Sequence, residues 1–281
     1  MLFKKIKRSP TPDSMSLKEM NMKIYRWFTS LLLVGALCLG GCTTQSGTQQ
    51  PGANAPTEIP SAVANSTASP TASAPLTTAD QFSSLPRLEG EATVEMTVKG
   101  GVISVNVDGA NAPITAGNFV DLVNRGVYNG LAFHRVVLEP QPFVVQGGDP
   151  QSKDDSFPVE KLGMGSFVDP TTSLPRYVPL EIKPEGQEQP IYSQTFESAK
   201  ITVAPKLRHT RGAVAMARSG DPDSASAQFY IALSDLDFLD GSYAVFGNVI
   251  TGMETVDQIR QGDRITSAKV TRGIENLKPG Q

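Results

Sequence analysis

Arg135 stands in an apolar run, Phe133-His134-Arg135-Val136-Val137, and a second apolar run, Phe143-Val144-Val145, leads into Gln146, Gly147, Gly148 and Asp149. A charge held among apolar neighbours is costly unless something uses it. The spacing predicts two short strands joined by a proline-bearing loop, with Arg135 and Gln146 reaching one surface. That surface is greasy, with one fixed positive charge and one amide. Other chemistries find less support. Asp235, Asp237 and Asp240 precede Gly241, but their spacing is wrong for a calcium loop and no glutamate closes it. Gly147-Gly148 and the Gly163-Met164-Gly165 run are too little for a phosphate loop. Two histidines, with no cysteine after Cys42, make no transition-metal cluster and leave no thiol nucleophile.

The elements that must position Arg135 and Gln146 follow from periodicity. Ala92 to Val98 and Val102 to Val107 alternate around Gly100-Gly101 and read as a β-hairpin. Ala112 to Val123 switches to helical spacing, with Ala116, Phe119, Val120 and Val123 on one face, Pro113 near the start and Gly126 past the end. Gly212–Arg218, Gln228–Leu233, Tyr243–Ile250 and Ile265–Thr271 are further strands, and Met253–Ile259 is a short second helix. Residues 150–205, polar and rich in Pro and Gly apart from an apolar patch at Tyr177–Ile182, read as long surface loops and hence as candidates for function. Many short strands with two helices predict a mainly β domain, a closed antiparallel barrel capped at its ends.

The N-terminal part differs in composition. Lys23 and Arg26 precede a 13-residue apolar run, Trp27 to Leu39, which ends Leu39-Gly40-Gly41-Cys42. A membrane span needs roughly 20 residues, so this length fits a secretory signal. The ending resembles the bacterial lipoprotein signal, in which the cysteine is lipidated and becomes the mature N-terminus. An ordinary signal peptide and an uncleaved anchor are the alternatives. Met22 begins a complete signal by itself, which leaves Met20 and Met22 as alternative starts. Thr43 to about Thr78 is rich in Ser, Thr, Ala, Pro, Gly and Gln, with Glu58 its only charge, and reads as a flexible tether. The expected organisation is a signal over 1–41, a tether over 42–84, a folded domain over 85–276 and a tail over 277–281. Removing the seven basic and two acidic residues before Cys42 leaves 18 basic against 26 acidic, a net charge of −8. That argues against nucleic acid as a partner and assigns membrane attachment to lipid on Cys42.

Four ordered motifs carry a resemblance: F-H-R-V-V, F-V-V-Q-G-G-D, M-A-R-S-G-D-P-D-S-A-S-A-Q-F-Y-I and F-L-D-G-S-Y-A-V-F-G. Together they resemble the cyclophilin-type peptidyl-prolyl isomerases, over about residues 90–272. The resemblance implies an eight-stranded antiparallel β-barrel closed by two α-helices, whose outer groove accepts proline-containing polypeptides and uses no cofactor. It implies that Arg135 donates toward the prolyl nitrogen, and that Gln146 holds the carbonyl before the proline or orients the arginine. Phe143, Val144, Phe229 and Leu239 then form the proline pocket, Phe238 and Tyr243 its rim, and Ala217 with Arg218 the adjoining backbone edge. Gln228 joins the substrate-binding residues. By themselves Phe143, Val144, Phe229 and Leu239 equally fit a plain core, and Arg135 a snorkelling surface residue. His134, on the opposite strand face from Arg135, reads as structural.

The chain departs from the family pattern at several points. Eukaryotic members usually carry methionine where Val144 stands, tryptophan at Phe238, histidine at Tyr243 and phenylalanine at Tyr230. Without an indole N–H at the rim, weak cyclosporin binding is implied. The loop from Arg135 to Phe143 has three residues more than the usual four, which either bulge outward or displace Arg135; intact flanking motifs favour the bulge. Residues 177–194 also look similar to an insertion in cyclophilins of cyanobacteria and the chloroplast lumen. Three functions follow as expectations: an exported, lipid-tethered, monomeric prolyl isomerase; a non-catalytic proline-peptide binding module or holdase; and a scaffold whose 150–205 segment binds an envelope partner.

Overall fold

The computed structural model describes residues 82–281. The signal, its cysteine Cys42 and nearly all of the tether lie outside the described residues. Its first long elements are strands β2 (Glu91–Val98) and β3 (Gly101–Asp108), which follow a two-residue strand β1 (Arg87–Leu88). Ala92, Val94, Met96 and Val98 of β2 and Ile103, Val105 and Val107 of β3 point inward, in register, Val94 opposite Val105 and Met96 opposite Ile103. Lys99 and Gly100 close the hairpin with φ of 53° and 80°, the left-handed pair that a two-residue turn between right-twisted strands requires.

Helix α1 (Pro113–Asn124) begins on Pro113, whose fixed φ suits a first turn. Its own sequence supplies no side-chain cap. Glu181 supplies it from afar, its carboxylate accepting from the Ile114 N–H (3.1 Å) and the Thr115 N–H (2.7 Å). Glu181 is 1% exposed, and burial pushes its pKa up against those hydrogen bonds.

Strands β4 (Phe133–Val136), β5 (Val144–Gly147), β8 (Ala213–Met216), β9 (Phe229–Ala232), β10 (Val245–Thr251) and β11 (Ile265–Arg272) complete one eight-stranded antiparallel sheet, in the order β11-β2-β3-β10-β8-β9-β5-β4. Two short strands, β6 (Glu181–Ile182) and β7 (Ile191–Tyr192), form a separate hairpin within the insertion between β5 and β8. The sheet curls round a core holding Phe119, Tyr128, Phe133, Phe229 and Phe246, and α1 and a short helix α2 (Met253–Asp257) cover it. The expected closed barrel is not confirmed. Edge strands β11 and β4 share no ladder, and their ends meet through one bridge, Ala132 to Arg264, with hydrogen bonds such as Ile265 N to Leu131 O (2.9 Å). The fold is a curled half-barrel sheet with two α-helices.

Two boundaries shift from the sequence expectation. The segment 277–281 is not a tail: β12 (Leu277–Lys278) pairs with β1, and the Gln281 N–H donates to Ser83 O at 2.9 Å. Phe82 and Leu85 pack against the core, so the domain reaches beyond 85–276 at both ends. Residues 150–205 are not uniformly surface loop either. Val178, Leu180, Glu181 and Ile182 are buried, because Glu181 must reach the end of α1. Among the described residues no helix is long and apolar enough to cross a membrane.

Candidate active site

Arg135 and Gln146 are placed by cross-strand pairing. Arg135 is opposite Gln146, Gln146 opposite Tyr230, and Tyr230 opposite Ala215, so one row crosses β4, β5, β9 and β8. The long loop before Phe143 leaves this register intact. Val137 and Val144 share one hydrogen bond (N to O, 3.0 Å) and Phe143 returns another to Val137 O (3.0 Å), closing a neck from which residues 138–142 bulge. The expected bulge is what forms.

Arg135 is exposed and makes no ion pair among the described residues. Its Nη1 donates to Gln146 Oε1 at 3.3 Å, and its Cζ lies 5.5 Å from the Phe143 ring centre. Gln146 Nε2 donates to Gln228 Oε1 (3.2 Å), and Gln228 Nε2 donates to Gly165 O (2.8 Å). A chain of amides therefore orients the guanidinium without neutralising it. Buried Asp149 anchors the far end, accepting from the Gly163 and Gly165 N–H groups at 2.6 and 3.1 Å. A Cβ on Gly165 would collide with that carboxylate, so only glycine fits.

A cavity of about 220 Å³ opens beside Arg135, lined by Phe143, Val144, Gln146, Ala217, Arg218, Tyr230, Leu239 and Tyr243. Its small volume suits a single side chain or ring rather than a large ligand. A larger cleft of about 540 Å³ elsewhere is lined by Glu91, Asn106, Arg272 and Glu275 among others, and contains none of the residues singled out from sequence. Arg218 is committed differently from Arg135. It lies 4.9 Å over Tyr243, and its guanidinium is taken up by the carbonyls of Ser242 (2.8 and 3.0 Å) and Ser219 (2.8 Å). Phe238 is 72% exposed and stacks on Phe143 at 6.0 Å, which makes it a rim residue.

One expected pocket residue is misplaced. Phe229 is fully buried in the inner core, edge-on to Phe119 (5.4 Å) and Tyr128 (5.3 Å). Strand alternation sends its neighbour Tyr230 to the pocket instead, a residue sequence reasoning noted only as a departure. Gln228 does not line the cavity and acts through Gln146. His134 is buried while Arg135 is exposed, so the two do face opposite ways.

Tyr230 brings a further pair that sequence reasoning missed. His209 is fully buried, with Nδ1 2.8 Å from Asp240 Oδ1 and Nε2 2.9 Å from the Tyr230 hydroxyl. Burial lowers the His209 pKa more than Asp240 raises it. The contact is thus a neutral imidazole donating from Nδ1 to Asp240 and accepting from Tyr230, not an ion pair. Asp240 ends the 3-10 turn Asp237–Leu239, so the chain ties the pocket wall at Tyr230 to the turn bearing Phe238 and Leu239. No local pattern signals this pair, because His209 and Tyr230 are 21 residues apart and meet only through the fold.

A family model described as cyclophilin type peptidyl-prolyl cis-trans isomerase/CLD matches residues 93–277. The chain belongs to the cyclophilin-type peptidyl-prolyl cis-trans isomerase family. It is 42% identical over 217 residues to a putative thylakoid lumen peptidyl-prolyl cis-trans isomerase of Synechocystis sp., covering 73% of this chain and 54% of that protein. It is 38% identical over 216 residues to the chloroplastic peptidyl-prolyl cis-trans isomerase CYP38 of Arabidopsis thaliana, covering 70% and 46%. The chain thus spans about half the length of these curated relatives. A crystal structure of a Cryptosporidium parvum cyclophilin type isomerase superposes with a TM-score of 0.48 at 23% identity, covering 65% of this chain and 98% of that one.

Proposed function

We propose that the chain accelerates cis/trans rotation about X-Pro bonds in exported polypeptides. The observation that carries this is Arg135, a cation without an ion pair among the described residues, held by a neutral amide beside a cavity sized for one ring and walled in part by Phe143, Val144 and Leu239. The barrier is about 18–20 kcal/mol and arises from amide resonance; uncatalysed X-Pro exchange takes on the order of tens to hundreds of seconds. No bond breaks, so the reaction calls for no nucleophile, general base or cofactor. The proline ring enters between Phe143, Val144, Leu239, Tyr230 and Tyr243. Arg135 donates toward the prolyl nitrogen, favouring the pyramidal form in which resonance is lost. A donor fixed where charge develops, as in an oxyanion hole, lowers the barrier without reorganising. Gln146 keeps the guanidinium in place and can donate to the carbonyl before the proline.

The lumenal and chloroplastic names of the relatives and the apolar run Trp27–Leu39 support an exported protein, and Cys42 supports a lipid tether; weak affinity for cyclosporin follows from Phe238, whose ring brings no indole N–H to the rim. A protease-coupled prolyl tetrapeptide assay on the full chain tests the activity. Turnover that survives Arg135→Ala unchanged would overturn the mechanism assigned to Arg135, whereas no turnover by the parent chain would leave the groove as a binding module only. Mass spectrometry of the mature N-terminus tests the lipid.

A further inference from the structure

Two arginines line the prolyl cavity, and the rotation proposed above uses only Arg135. Arg218 follows the end of β8, and the order β8-β9-β5-β4 puts three strand spacings, about 14 Å, between β8 and β4. The two cations therefore stand at opposite flanks of the cavity. Arg218 is held as firmly as Arg135. Its Nε and Nη2 donate to Ser242 O at 3.0 and 2.8 Å, its Nη1 to Ser219 O at 2.8 Å, and its Cζ lies 4.9 Å from the Tyr243 ring centre. Tyr243 in turn meets Tyr230 edge-on at 6.1 Å. Carbonyls and a ring fix a guanidinium in place without cancelling its charge.

Neither Arg135 nor Arg218 makes an ion pair among the described residues, whereas Arg125, Arg176, Arg211 and Arg264 each pair with an aspartate. The other seven residues lining the cavity bring no carboxylate and no further cation. Acids on the adjoining segments are engaged by backbone N–H groups. Asp221 accepts from Asp223 N (2.9 Å), Asp223 from Leu180 N (3.3 Å) and Asp240 from His209 N (2.9 Å). Glu139 and Asp237 are exposed, where water and salt screen them, while Arg218 is half-buried and screened less. Residues 82–281 hold 24 acids and 18 bases, so a positive cavity runs against the charge of its own domain. A groove with a fixed, unpaired cation at its flank favours a peptide that brings the missing anion.

We propose that Arg218 sets a substrate preference, for prolyl segments in which an acidic side chain flanks the proline over those with a basic one. This rests on the isomerase reading above and names the class of polypeptide it acts on. Arg135 is committed to the prolyl nitrogen. Arg218 has no part in the rotation, so its charge is available to the residue beside the proline. A glutamate there meets an opposite charge already fixed in place, and a lysine meets a like one. The attraction is the same before and during rotation, so it acts through KM and leaves kcat unmoved. A pair of charges near a protein surface is worth about threefold in affinity, so exchanging attraction for repulsion amounts to about tenfold.

The test uses the full chain and peptides acetylated and amidated at their ends, with Glu, Gln or Lys placed before the proline in one set and after it in another. Exchange spectroscopy by NMR reads cis/trans turnover without a coupling protease. In at least one set kcat/KM should run Glu over Gln over Lys, with about tenfold between Glu and Lys at low salt. Roughly 0.5 M NaCl should shrink that ratio to about threefold. Arg218→Gln should shrink it as far at low salt, and Arg218→Lys, which keeps the charge, should restore most of it. The ratio is the readout, so a change in absolute rate does not confuse it. Equal turnover of the Glu and Lys peptides by the parent, or a ratio unmoved in Arg218→Gln, would overturn the proposal. If Arg218→Gln does not fold, the salt series on the parent decides, since a preference that salt leaves intact comes from shape and not charge. A parent that turns over none of the peptides would sink the isomerase reading instead. The preference then stands or falls on the dissociation constants of the Glu and Lys peptides, read from chemical-shift changes.

Discussion

Phe229 and Tyr230 are neighbours on one strand, yet they belong to opposite sides of the sheet. On the inner side, aromatic rings pack against one another in a closed core, and each ring matters for stability. On the outer side, a second, smaller cluster of Val144, Ala213, Ala215, Tyr230, Ala232, Leu236 and Val245 supports a cavity that stays open at Phe143, Leu239 and Tyr243. Polar chains brace that outer side: Arg135–Gln146–Gln228–Gly165 and Tyr230–His209–Asp240. A core can be held by packing alone. A groove that must accept a ligand has unfilled volume, so hydrogen bonds set its width.

Substitutions should therefore separate by face. Phe229→Ala removes a ring from the filled core and should cost about 3–5 kcal/mol of unfolding free energy, measured by denaturant titration. Arg135→Ala should do the reverse. Stability should hold, because the side chain is exposed, while kcat/KM on a prolyl tetrapeptide falls about 100-fold or more, the scale on which a positioned donor acts. If Phe229→Ala reduced turnover without lowering stability, the two sides would not be distinct.

A gentler probe is Tyr230→Phe, which keeps the ring and leaves the buried His209 Nε2 without its donor. The expected loss is about 1–2 kcal/mol of stability, with a smaller effect on turnover. The same histidine gives a pH dependence. Its folded-state pKa lies below the ordinary 6.5 because of burial, so the unfolded chain takes up the proton first. Its contribution to stability is whole above pH 6.5 and is lost as pH falls from there through the folded-state value. His134, lowered also by burial, adds in the same direction. The decline in unfolding free energy below pH 6.5 should be shallower in His209→Gln; an identical decline would mean that His209 is not neutral in the fold.

Much of this division was readable in the sequence, because alternation in β2 and β3 and the helical spacing of α1 are local. The placement of Arg135 and Gln146 on one surface also followed from two short runs. The choice between Phe229 and Tyr230 did not, since two adjacent aromatics fit either phase and only the register of β9 against β5 decides. Glu181 was hidden for a related reason. A carboxylate that caps a helix 67 residues earlier leaves no pattern in its own neighbourhood. The open edge between β11 and β4 is likewise a property of how far the sheet curls, which no strand reports singly.

Phe238 marks the limit of the outer region, and removing it asks how far the groove extends. The ring is 72% exposed and touches the site by stacking on Phe143, with an interplanar angle of 17°. It contributes little to folding, so Phe238→Ala should leave the unfolding midpoint in place. An aromatic pair of this kind is worth about 0.5–1.5 kcal/mol, so KM for the tetrapeptide should rise about two- to tenfold while kcat stays put. The ring meets the substrate before and during rotation alike, and equal contact in ground and transition states moves KM alone. A fall in kcat would mean that Phe238 steadies Phe143 during the rotation itself, and the boundary of the working pocket would then lie outside Leu239 and Tyr243.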